Sequence, residues 1–69
     1  MAFSISDWDS FTRTRFEALA VVRWGNVWRL ADYSDENNVT TIGVPYRTKA
    51  EALADARYEA DARGYKLAK

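Results

Sequence analysis

The sequence predicts an α+β fold: a small antiparallel sheet of three to four strands packed against one C-terminal helix, over about residues 48–63. Three observations carry this. Thr48 followed by Glu51 is a capping box, and Gly64 closes the same segment as a helix C-cap. Gly25-Asn26 stands between two apolar runs, as a two-residue hairpin turn does. The large side chains, three Trp, four Tyr and three Phe, lie mostly upstream of the helix, where a sheet would use them.

Residues 6–12 read as a short helical turn. Ser6-Asp7-Trp8-Asp9 offers a cap and two acids for a first turn, with Trp8 and Phe11 on one face. From 15 to 24 the pattern is extended. Phe16, Val22 and Trp24 fall on one side and Leu19, Val21 and Arg23 on the other. A type II′ turn at Gly25-Asn26 then fixes the register with the strand at 27–33. Trp24 faces Val27, Arg23 faces Trp28, Val22 faces Arg29 and Val21 faces Leu30.

Ser34-Asp35-Glu36-Asn37-Asn38 is a polar turn. A third strand follows over 39–45, with Ile42 and Val44 on one side. Gly43 marks a bulge, and Pro45 marks an edge or an end. Six alanines and one leucine in this segment are strong helix formers. Ala52, Leu53, Ala56 and Ala60 form its apolar stripe. Glu51, Asp55 and Glu59 form an acidic ridge, read as a solvated face or as a docking face for a basic partner. Tyr65-Lys66-Leu67-Ala68 offers a short last strand.

This register makes both faces of the hairpin apolar, whereas a sheet with one wet face alternates cleanly. One helix covers one face. The other requires the N-terminal segment, a second copy of the chain, or a partner protein.

Length and composition bound the function. Sixty-nine residues make a single domain, 1–69, near the lower limit for an unaided core. With no Cys and no His, disulfides and Cys/His zinc sites are excluded. The formal net charge is zero, and no run is long and apolar enough for a membrane-spanning helix. The N-terminus lacks the basic and apolar regions of a signal peptide, so a cytoplasmic location is expected.

The order from residue 20 to 68 resembles a group of very small bacterial and phage domains of unknown function. In them a Trp-bearing hairpin precedes an aromatic-x-Thr-Lys-x-Glu-Ala helix and a Gly-x-x-Leu strand. Trp28, Thr48, Lys49, Glu51, Ala52, Ala56 and Gly64 carry the resemblance. It implies the fold and no activity, and the N-terminal segment departs from the pattern. In size and architecture the chain also resembles phage-encoded inhibitors of host machinery, CRISPR inhibitors among them, an analogy of fold alone.

Catalytic chemistry has little to stand on. The usual nucleophile–base pairs need His or Cys. The acidic pairs Asp7/Asp9, Asp35/Glu36 and Asp55/Glu59 fall in apparent loops or on a wet helix face, where a raised carboxyl pKa is not expected. The expectation is a non-enzyme that needs no metal or cofactor and works by occupying a surface of another protein, as a homodimer. Trp, Tyr and Arg dominate interface hot spots, which makes Phe16, Arg23, Trp24, Arg29 and Tyr33 the candidate contacts. The alternative is a nucleic-acid binder using Arg13, Arg15, Arg23 and Arg29, which share residues 12–29 with a single acid, Glu17.

Overall fold

The computed structural model describes Trp8 and residues 10–68. Its elements run β1 (Phe11–Arg13), β2 (Leu19–Trp24), β3 (Val27–Asp32), β4 (Thr40–Tyr46) and α1 (Lys49–Arg63). The strands form one antiparallel sheet in the order β1-β2-β3-β4. The helix lies over β2, β3 and β4. This is the expected α+β architecture.

The hairpin has the expected register, from Trp24 opposite Val27 through Val21 opposite Leu30 to Leu19 opposite Asp32. Gly25 takes φ 63° and Asn26 is not among the positive-φ residues, the pattern of a II′ turn. The helix has its expected caps. Thr48 Oγ1 accepts from the Glu51 N–H at 3.1 Å, and Gly64 is left-handed at φ 75°.

The N-terminal end differs from expectation. The fourth strand is β1, at residues 11–13, inside the span expected to be a helical turn; residues 6, 7 and 9 of that span lie outside the described residues. The Thr12 and Thr14 β-branches and the alternation of Thr-Arg-Thr-Arg win over the capping signal. The second strand begins at Leu19 rather than 15, because Ala18 is left-handed at φ 61° and reverses the chain. Thr14 closes that reversal: its hydroxyl accepts from the Phe16 N–H at 3.2 Å and donates to the Leu19 carbonyl at 3.1 Å. Phe16 is thereby taken out of β2 and off the face expected for it. It packs on the helix side of the sheet, and its backbone bridges to Leu67. The expected last strand is only this bridge.

The β3–β4 pairing slips between Trp28 and Leu30, where Gly43 turns to φ 70°. The bulge separates Ile42 from Val44, which had been expected on one side. Ile42 enters the core and Val44 is exposed.

Two apolar clusters result. Leu19, Val21, Leu30, Ile42 and Tyr46 pack under Ala52, Ala56 and Ala60. On the opposite face Val22, Ala31 and Val39 are fully buried, with Trp8, Phe11 and Tyr33 packed against them. The N-terminal segment therefore provides cover on the second face. Alanine along α1 lets the helix sit close to the sheet while adding little area of its own. The fully buried Leu and Val side chains supply most of the driving force, at about 1.5–3 kcal/mol each.

Candidate functional site

The five candidate contacts do not form one patch. Trp24 is 47 % exposed, with its ring 5.0 Å from that of Trp8. Tyr33 is half-buried, edge-on to Phe11 at 5.2 Å and under the Arg13 guanidinium at 5.8 Å. Arg23 Nε donates to the Gly25 carbonyl in the hairpin turn, and Arg29 Nη2 donates to the Gly43 carbonyl at the bulge. Phe16 lies on the other side of the sheet.

The four arginines named for nucleic acid are likewise dispersed. Arg23 and Arg29 hold their own backbone, Arg13 sits over Tyr33, and Arg15 faces the helix side.

The acidic ridge is not a uniformly wet face. Glu51 is exposed, but Asp55 and Glu59 are half-buried along the β4 flank of the helix. The Tyr46 hydroxyl donates to Asp55 Oδ2, and Arg63 Nε lies 3.7 Å from Glu59 Oε2. Burial, then the bond to Asp55, raises the Tyr46 phenol well above its ordinary 10.0. Among the described residues no three Asp or Glu side chains gather in a way that would hold a metal ion.

The opposite flank of α1 is different. Lys49, Leu53, Arg57 and Asp61 succeed one another at i, i+4, so they share one stripe, on the β1 side. Between this stripe and the segment running from β1 through Phe16 lies a groove of about 750 Å³ lined by Arg15, Phe16, Leu53, Arg57, Tyr65 and Leu67. It continues past Thr12 toward Lys49. The bridge from Phe16 to Leu67, with Glu17 N–H donating to the Lys66 carbonyl at 3.0 Å, builds its end wall.

Two properties set this groove apart. Its apolar residues are left unfinished: Leu53 is 40 % and Leu67 70 % exposed. Leu53 was expected in the buried stripe; the short alanines draw the helix down along Ala52, Ala56 and Ala60, and Leu53 stays at the rim. Its charges are mostly positive. Arg15, Lys49 and Arg57 face one acid, Asp61, and the ion pairs among the described residues involve none of them.

Sequence reading missed Lys49, Leu53 and Arg57 as a group. The signal was there: a basic–apolar–basic stripe at helical spacing, Lys49-Leu53-Arg57, centred on the only leucine of the helix.

No family model, curated protein or solved structure matches this chain.

Proposed function

We propose that this protein is a non-enzymatic interaction module that binds another protein through the groove between β1 and α1. The observation carrying this reading is the pairing of exposed apolar side chains, Leu53 and Leu67, with the cations Arg15 and Arg57 in one concave surface. Apolar anchors give a contact its driving force, and flanking charges give orientation and selectivity. Apolar side chains left exposed within a rim of charged residues are a common mark of an interaction site.

The mode of action is occlusion of a partner's surface in the cytoplasm, as an inhibitor of host machinery of the type the architecture resembles. Self-association, the other occupant expected from the sequence, would use Trp24 and Val44, which are exposed apart from the groove.

Nucleic acid is the second reading, favoured by the cations alone. The nearby apolar lining and the acidic flank of the same helix are better suited to a polypeptide.

The test uses immobilised wild-type protein and lysate of the source cells, with Leu53→Asp, Arg57→Glu and Trp24→Ala beside it. The reading expects a partner retained by wild type and Trp24→Ala and lost by the other two. Loss with Trp24→Ala alone moves the site to the second face. Salt-sensitive retention of DNA or RNA in place of protein overturns the reading. Sedimentation at micromolar concentration reports the self-association state.

A further inference from the structure

The two edges of the sheet are not equivalent. At β4 the outer edge is broken by the Gly43 bulge and by Pro45, devices that block strand addition. At β1 neither is present. β1 is also the terminal strand of the sheet formed by the described residues.

The backbone of β1 is oriented for pairing outward. Arg23 N–H donates to the Ser10 carbonyl at 3.3 Å and Thr14 N–H to the Leu19 carbonyl at 3.1 Å. Between them Thr12 faces Val21. Antiparallel alternation then turns the N–H and C=O of Phe11 and Arg13 away from β2. A strand laid along this edge would also lie beside the groove. Its residues next to Thr12 would project toward Phe16 and Leu53, with Arg15, Lys49 and Arg57 around them.

We propose that an extended acidic segment of a partner protein, carrying one or two large apolar side chains, adds to the sheet at the outer edge of β1 and seats those side chains in the groove. This rests on the protein-binding reading above and specifies the occupant. Charge decides among the occupants. A second copy paired through the same edge would lay another Arg13- and Arg15-bearing strand beside an edge and groove that are already basic, which is unfavourable for like charges. An acidic strand meets Arg15 and Arg57 with opposite charge. Main-chain bonds would then supply affinity, and the side chains reaching the groove would supply specificity.

The probe is a short synthetic peptide with a leucine flanked two residues away on each side by glutamate, so that all three share one strand face, added to the ¹⁵N-labelled full chain and followed by amide shifts and hydrogen exchange. The expected result is slowed exchange at the Phe11 and Arg13 amides, with shifts at Leu53. Arg13→Pro, which removes one outward N–H and spares the bonds to β2, weakens binding roughly tenfold, and so does Arg57→Glu. A peptide N-methylated along its pairing edge fails to bind, a control that leaves the protein unaltered.

Binding that leaves the Phe11 and Arg13 amides unprotected overturns strand addition while the protein-binding reading stands. Equal binding of a lysine–leucine peptide overturns the acidic preference. Absence of binding by the glutamate–leucine peptide overturns the inference. Binding of an oligonucleotide in its place overturns both.

Discussion

The Tyr65 hydroxyl donates a 2.6 Å hydrogen bond to Asp32 Oδ2, tying the segment after the helix to the end of β3. Arg63 Nη1 meets the same oxygen at 3.0 Å, and the Ser34 N–H donates to Oδ1 at 2.9 Å. Asp32 is buried, and each of its carboxylate oxygens is engaged. This cluster holds Tyr65 in place as part of the groove wall.

Burial would by itself raise the Asp32 carboxyl, but the bonds from Tyr65 and Ser34 and the Arg63 charge outweigh it and hold it below its ordinary 3.8. A value depressed in the folded state gives stability that is present above the unfolded value and lost as pH falls through the folded one. Urea titrations should therefore show stability declining below about pH 4. Asp32→Asn should remove that contribution and cost about 2–3 kcal/mol at neutral pH, since Arg63 and Tyr65 lose a charged acceptor.

The alkaline limb has the opposite sign. Burial, then the bond to Asp32, raises the Tyr65 phenol, and Tyr46 is raised in the same way by burial and Asp55. Phenols raised in the folded state stabilise it below the unfolded value and lose that contribution as pH rises above about 10. Replacing both by Phe should flatten the loss, measured by circular dichroism across that range.

Gly43 and Tyr46 are coupled. A Cβ on Gly43 would come within 3.1 Å of the Tyr46 hydroxyl, at a backbone φ of 70°. Gly43→Ala should cost about 1–3 kcal/mol. In a Tyr46→Phe background, where the crowding oxygen is gone, the same change should cost less. A double-mutant cycle in urea measures the difference.

Ala18 adopts φ 61°, a conformation that costs an L-residue about 1–2 kcal/mol and glycine almost nothing. After the entropy that glycine adds to the unfolded chain, Ala18→Gly should raise stability by about 0.5–1 kcal/mol, seen as a higher urea midpoint.

Stability and binding should separate at Leu53. It is partly exposed beside small neighbours, so Leu53→Gln should cost about 1 kcal/mol or less. Leu30 is fully buried in the cluster under the helix, and Leu30→Ala should cost about 2–5 kcal/mol, a large share of the stability of so small a domain.

The features legible in the sequence were those set by local chemistry. Gly25-Asn26 determined a turn, and a two-residue turn determines a register. Thr48, Glu51 and Gly64 bounded the helix. The features missed depend on where the chain turns in space. Ala18 in a left-handed conformation carries no sequence mark, since glycine usually fills that role, and it moved Phe16 to the other side of the sheet. The groove was missed for a related reason. Its cations come from Arg15 in a connection and from Lys49 and Arg57 on α1, and only the close seating of an alanine helix brings them together around Leu53.

The most direct measurement of the central claim is partner binding by Leu53→Asp and Arg57→Glu against wild type, each variant first shown to be folded by circular dichroism. Binding abolished by both, with Trp24→Ala still binding as wild type does, is the predicted result. Undiminished binding by the two groove variants would contradict it.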